Sequence, residues 1–375
     1  YDNRWGYYLL WIYSRTGIRI MTISNNKLLI GASGGGGQDA SNYLVTVQKS
    51  GGVVAVLDHT TPGSLSSNDT IAIGGSGNDG YSAVWASDDS FIVACSEGNP
   101  QLHLIDSSNY GSLSSTDTFN TTIRSRAIAL RPDDTSVAVG HVDGSANFRI
   151  FAISSGSLAL DYSETLPNGT SSGSVESIDW SPNGTYLAIL ARPASGYSFL
   201  HLYSVPATST GPPSFIASYE GGNNSGGTFA GCTRFSPDGN YVACTFNNNL
   251  RVFSYNGSSL TLVATQAITG SGTFQSLAWN PDSSELAATA GGNKRLHLYQ
   301  WDPTTSEEDR LQDGDSTYTL PAVPGPIAWT ADGKYIACAS NNGIELINAD
   351  DHTNLTQAAR IADSSYYTNG DRIDW

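Results

Sequence analysis

One phrase of fourteen residues recurs along the chain, and it constrains the fold more than any bulk property does. It reads SAVWASDDSFIVAC (82–95), AIALRPDDTSVAVG (127–140), SIDWSPNGTYLAIL (177–190), CTRFSPDGNYVACT (232–245), SLAWNPDSSELAAT (276–289) and PIAWTADGKYIACA (326–339), with a weaker copy, RIMTISNNKLLIGA, at 19–32. Each copy places alternating apolar residues before a Pro-Asp-Gly-like turn and a second apolar run after it, the pattern of an antiparallel hairpin. Proline presets φ for such a turn, and Asp, Asn and Gly tolerate its backbone conformations. Two more short apolar runs follow most copies, as in LRVFSY (250–255) with LTLVAT (260–265), or FRIFAI (148–153) with LALDYS (158–163). Successive copies start 44 to 63 residues apart. A unit of that length with four short strands and no helical periodicity excludes the helical solenoids and leaves radial repetition. The expectation is an all-β chain, a β-propeller of seven blades with eight as the alternative, each blade having four antiparallel strands. Small residues in the second strand of each copy, such as Ala94-Cys95, Ala188, Ala243-Cys244 and Ala337-Cys338, suit the crowding between stacked blades.

The phrases FSPDGNYVA (235–243), WSPNGTYLA (180–188) and WTADGKYIA (329–337) resemble the repeats of WD40-like, TolB-like and YVTN-type propellers. The resemblance covers nearly the whole chain and implies architecture, not activity. The Gly-His and Trp-Asp dipeptides of true WD40 repeats are almost missing, with Trp301-Asp302 an isolated instance. No family's functional residues carry over on these motifs.

A length of 375 residues is compatible with one closed all-β domain over 1–375. The two ends add a feature. Arg372-Ile373-Asp374-Trp375 matches Ser177-Ile178-Asp179-Trp180, which opens a blade, and WGYYLLWIY (5–13) is an apolar strand ahead of the weak copy. Segments 1–13 and 371–375 therefore read either as strands that close the ring, removing exposed sheet edges, or as a strand donated to a neighbouring subunit. Trp5, Tyr7, Leu9, Leu10, Trp11, Ile373 and Trp375 are the interface candidates, and other protein subunits, including copies of this chain, are the expected partners.

Charge narrows the partners further. The chain carries 18 Lys+Arg against 34 Asp+Glu, a formal −16, which repels phosphate backbones and argues against nucleic acid. Its longest apolar runs, such as Tyr7 to Tyr13, fall far short of the ~20 residues of a membrane-spanning helix, so no membrane insertion is expected.

Chemistry-bearing residues give no convergent set. His103, His201 and His297 each occur as Leu-His-Leu on the same strand of alternate blades, which reads as a repeated structural slot. Cys95, Cys244 and Cys338 share a Val/Ile-Ala-Cys strand position and read as small apolar fillers. A hairpin turning near Asp238 would place Cys232 nearly opposite Cys244, making that pair the one disulfide candidate, although directly opposed strand positions rarely suit relaxed disulfide geometry. The glycine run in GASGGGGQDAS (31–41) lacks the Lys-Ser/Thr and helix of a phosphate loop, and two Gly-x-Ser-x-Gly matches (31–35 and 169–173) lack the strand-to-helix turn of a nucleophile elbow. In SEEDRLQDGDST (306–317), Asp313 and Asp315 are weak calcium candidates inside what reads as a solvated acidic loop. Seven Asn-x-Ser/Thr sequons are close to the number chance supplies in a chain this rich in Asn, Ser and Thr, so they do not argue for glycosylation. No catalytic residues, metal or cofactor follow from these patterns.

The reading that results is a non-catalytic structural or interaction propeller, not an enzyme, serving as a subunit of an extracellular assembly such as a surface filament or virion appendage. Two alternatives stay open. One is a WD40- or TolB-like protein-binding scaffold; the other is a secreted propeller enzyme of the lactonase-like type, whose polar residues would have to meet at the channel mouth.

Overall fold

The computed structural model describes residues 8–14, 17–24, 27–30, 43–48, 52–58, 65–74, 79–109, 111–142, 147–167, 173–192, 197–206, 211–223, 231–246, 248–267, 273–340 and 342–362, the first three segments by backbone only. The chain separates into two compact units, 1–39 and 40–375. The six strong copies of the repeated phrase lie in the second.

In the first unit, β1 (Tyr8–Ser14), β2 (Gly17–Ser24) and β3 (Lys27–Ile30) form an antiparallel meander. The weak copy at 19–32 thus makes a hairpin, as its alternation dictates, but in a three-stranded sheet of its own.

In the second unit the described strands fall into seven blades. Blade I comprises β4 (Tyr43–Gln48), β5 (Val53–Asp58) and β6 (Ser66–Ala72), three described strands. Blade II comprises β7 (Gly80–Trp85), β8 (Phe91–Ser96), β9 (Leu102–Asp106) and β10 (Ser114–Phe119), and blade III β11 (Arg124–Leu130), β12 (Ser136–Val142), β13 (Phe148–Ser154) and β14 (Ser157–Glu164). Blade IV comprises β15 (Ser174–Trp180), β16 (Tyr186–Arg192), β17 (Tyr197–Ser204) and β18 (Ser214–Asn223), joined to blade III by a single bridge, Val142 to Ser174. Blade V is β19 (Thr233–Phe235), β20 (Tyr241–Phe246), β21 (Asn249–Asn256) and β22 (Ser259–Ala267). Blade VI is β23 (Phe274–Trp279), β24 (Glu285–Ala290), β25 (Arg295–Trp301) and β26 (Leu311–Thr319), and blade VII is β27 (Pro324–Trp329), β28 (Tyr335–Ser340), β29 (Gly343–Asn348) and β30 (Thr356–Ile361). Each is an antiparallel meander in chain order.

The apolar residues of each blade are buried between blades. Among the described residues seven hydrophobic clusters are present, and each joins two neighbours: Val45 and Val56 meet Trp85 and Ile92 between I and II, and so on round to Leu44 and Leu57 against Ala337 and Leu346 between I and VII. That last cluster closes the circle by side-chain packing. Space between inner strands is tight enough that a Cβ at Gly140 in blade III would fall 2.4 Å from Val175 of blade IV.

The recurrent phrase explains the turns. In each of the six strong copies a carboxylate or amide two residues ahead accepts the backbone N–H that restarts the second strand: Asp88 from Ser90, Asp133 from Thr135, Asn183 from Thr185, Asp238 from Asn240, Asp282 from Ser284 and Asp332 from Lys334. The residue after it is left-handed every time, with φ between 61° and 74° at Asp89, Asp134, Gly184, Gly239, Ser283 and Gly333. The tryptophan before the turn has a second task. Trp180, Trp279 and Trp329 each donate the indole N–H to a main-chain oxygen on the inner strand of the preceding blade, that of Ala129, Arg234 and Ala278. Among the described residues no helix is long and apolar enough to cross a membrane.

Candidate functional site

In blades II to VII the first strand is innermost and begins at one mouth of the channel; its far end runs into the Asp- or Asn-containing turn on the opposite face. Besides β27, whose register shifts between Pro324 and Ile327, four of these inner strands carry a one-residue β-bulge near the mouth. The register skips one residue between Gly80 and Ser82, Ser125 and Ala127, Val175 and Ser177, and Phe274 and Ser276. The residues left over are Tyr81, Arg126, Glu176 and Gln275. A bulge releases its extra residue from the alternation that fixes every other side chain, so that residue can be aimed independently of the core.

Three of the four meet in one charged network across blades II, III and IV. The Arg126 guanidinium donates to Glu176 Oε2 at 3.0 Å, and Arg192, at the end of β16, lies 3.6 Å from Glu176 Oε1. The Ser174 hydroxyl donates to the same oxygen at 2.5 Å. Glu176 is 3% exposed at its side chain whereas Arg192 is 35% exposed, so the carboxylate is a buried anchor and the guanidinium reaches solvent. Arg126 also lies over the Tyr81 ring, 6.0 Å from its centroid. The Tyr81 hydroxyl donates to Glu97 at 2.5 Å, and Arg124 donates to the same Glu97 oxygen at 3.1 Å. Burial first, and then the hydrogen bond to Glu97, push the Tyr81 hydroxyl well above its ordinary range, so it stays a donor. Glu97 keeps 26% of its side chain exposed and is the accessible carboxylate of the network.

Behind this surface, Ser125 Oγ and His141 Nδ1 stand 3.4 Å apart. Ser125 is 0% and His141 1% exposed, which puts that pair out of reach of a substrate. Burial, with Arg149 nearby, lowers the His141 pKa to about 3. Arginines are scarce in this acidic chain, yet Arg124, Arg126 and Arg192 share one mouth, which can hold a developing oxyanion or an anionic ligand.

The residues singled out from sequence fare differently. His103, His201 and His297 lie on β9, β17 and β25, the third strands of blades II, IV and VI, and are buried there. All four cysteines are buried, and no disulfide joins any of them among the described residues. Cys244 stands opposite Thr233, while Cys232 bonds the backbone of Thr245. Cys232 and Cys244 therefore belong to different interblade cores on the two faces of blade V, which corrects the disulfide expectation. Asp313 and Asp315 fall within β26, not in a loop, and their side chains lie outside the described residues. Leu9, Leu10 and Trp11 are in β1, paired with Thr22, Met21 and Ile20 of β2. Trp5, Tyr7, Ile373 and Trp375 lie outside the described residues.

No protein-family model and no curated protein sequence matches the chain. Solved structures do resemble it. A periplasmic gluconolactonase of Pseudomonas aeruginosa, PpgL, superposes with a TM-score of 0.68 at 17% identity over 88% of this chain and 98% of that one. A protein from Bacteroides fragilis, provisionally named a 6-phosphogluconolactonase, gives 0.69 at 15% identity over 85% and 95%. The β-propeller domain of Cps50 (Swd1) from Myceliophteria thermophila gives 0.63 at 14% over 82% and 93%. At these identities the likeness establishes the fold, a β-propeller. It also corrects the expectation of a non-catalytic, non-enzymatic subunit of a filament or virion appendage: propellers with lactonase names are among those it resembles, and the convergent polar set that reading found missing exists at the channel mouth.

Proposed function

We propose that this chain is a propeller enzyme of the lactonase type, hydrolysing the cyclic ester of a small polyhydroxy acid at the mouth formed by blades II to IV. The observation that carries the reading is the Arg126–Glu176–Arg192 cluster, a buried carboxylate holding two guanidinium groups at the opening of the channel. In this reaction water adds to the lactone carbonyl carbon while Glu97 takes its proton. The resulting oxyanion rests against Arg126 and Arg192. Collapse of the tetrahedral adduct breaks the ring C–O bond, and the proton returns to the departing hydroxyl. Glu176 acts as a positioning residue, since its oxygens are already occupied by the two arginines and Ser174. A compartment outside the cytoplasm goes with this reading, as for the periplasmic Pseudomonas relative.

The test is acid release from glucono-δ-lactone and its 6-phosphate, followed with a pH indicator against the spontaneous rate. Acceleration is expected, and Glu97→Gln should reduce kcat by about 10²-fold or more if the carboxylate is the general base. A protein that leaves the spontaneous rate unchanged for both lactones overturns the proposal.

A further inference from the structure

At the face opposite this mouth, blades II and III leave a groove of about 470 Å³ between their turns. Its apolar side is Phe91, Leu104 and Ile153, and its polar rim includes Asp106 and Asp134. A volume of that order is in the range of small-ligand sites. Neither carboxylate forms an ion pair among the described residues: Asp106 accepts from the Ser108 N–H, and Asp134 accepts, through one oxygen, from Ser87. Arg131, the cation carried on the same turn as Asp134, is 3.4 Å from Asp133. The groove thus pairs an apolar wall with two carboxylates that lack a countercharge, in a chain whose net charge is −16.

We propose that this groove binds an alkylammonium group, with its methylene stem along Phe91, Leu104 and Ile153 and its ammonium between Asp106 and Asp134. An ammonium supplies the donors and the charge that the two carboxylates lack, and a stem of several methylenes covers the apolar wall, as lysine stems do on protein surfaces. A neutral sugar would satisfy hydroxyl groups but leave both charges uncompensated. An anion is excluded by repulsion from Asp106 and Asp134, with Asp88 and Asp133 on the same two turns.

Calorimetric titration of the full chain with 1,5-diaminopentane, N-acetyl-lysine methylamide and N-acetyl-norleucine methylamide tests this. The two amines should bind saturably and at least tenfold more tightly than norleucine, and added salt should weaken them. Asp106→Asn should lower amine affinity at least fivefold, and so should Phe91→Ala, while Asp106→Asn retains the wild-type melting temperature. Binding of the diamine alone identifies a free amine as the ligand, and binding of the lysine derivative identifies a protein side chain. Equal binding of norleucine, no saturable amine binding, or full affinity in Asp106→Asn overturns the proposal.

Discussion

Asp134 Oδ2 accepts both the backbone N–H of Ser87, at 2.9 Å, and its hydroxyl, at 2.5 Å, and so ties the turn of blade III to that of blade II. Asp134 occupies the left-handed position of its turn, which blades IV, V and VII fill with glycine. Blade VI repeats the device, because Ser283 at the same left-handed position accepts from the Asp238 N–H of blade V. A non-glycine residue is tolerated there because its side chain returns an interblade bond in exchange for backbone strain.

Separating those two effects gives the first prediction. Asp134→Gly removes the bond but relieves the φ of 61°, whereas Asp134→Ala removes the bond and keeps the strain. Thermal unfolding should rank wild type above Asp134→Gly above Asp134→Ala, with the loss of the bond worth about 1 kcal/mol. An alanine variant as stable as the glycine variant would contradict the strain argument.

The second concerns the indole staples. Trp180→Phe keeps a ring in the blade III–IV core but removes the indole bond to the Ala129 carbonyl, which retains its ladder partner Ala138. The loss should be about 1 kcal/mol, the usual net worth of one hydrogen bond. Urea unfolding of Trp180→Phe beside Trp329→Phe measures it, and similar losses are expected because Trp329 makes the equivalent bond to Ala278.

Acid sensitivity follows from two buried histidines. Burial lowers the pKa of His201 to about 4 and, together with Arg149, that of His141 to about 3, against 6.5 for the free side chain. Below pH 6.5 the unfolded chain takes up protons that the folded chain refuses until about pH 4 at His201, so stability falls as pH drops through that window. The effect is on the order of 3 kcal/mol for His201 by linkage. Among the described residues His201 has no hydrogen-bond partner for either ring nitrogen, and it stacks on Phe199. His201→Phe should therefore be neutral or stabilising at pH 7 and should flatten the acid limb of the denaturation midpoint plotted against pH.

At the candidate site, Glu176→Gln tests positioning against chemistry. Glutamine keeps the shape but removes the charge facing Arg126 and Arg192. The proposed hydrolysis should lose about tenfold in kcat/KM, less than Glu97→Gln loses. A loss as large as that of Glu97→Gln would make Glu176 the base and Glu97 the support.

The hairpins were legible because their turn chemistry is local: an Asx acceptor, a left-handed residue and flanking alternation lie within a few consecutive residues. Blade membership was less so. RIMTISNNKLLIGA alternates correctly and does form β2 and β3, yet it belongs to the 1–39 unit. Residues 43–72 build a blade without containing the phrase, because its described strands lack the inner strand–turn pair that the phrase encodes. The mouth was missed for a geometric reason. Arg126 and Glu176 each stand one residue ahead of the phrase and 50 residues apart, and only the bulges turn them toward a common point. The available signal was the column just before each copy, where Tyr81, Arg126, Glu176 and Gln275 break an otherwise small or apolar pattern.

That column has an evolutionary consequence. Of the residues excluded from the register, Arg126, Glu176 and Gln275 belong to no interblade hydrophobic cluster, so exchanging them leaves the cores intact, whereas Tyr81 packs against the core between blades II and III. Three different residue types already occupy those three positions. The opening of this ring can thus be rewritten at single positions of blades III, IV and VI, which lets recognition diverge quickly while the scaffold that presents it stays unchanged.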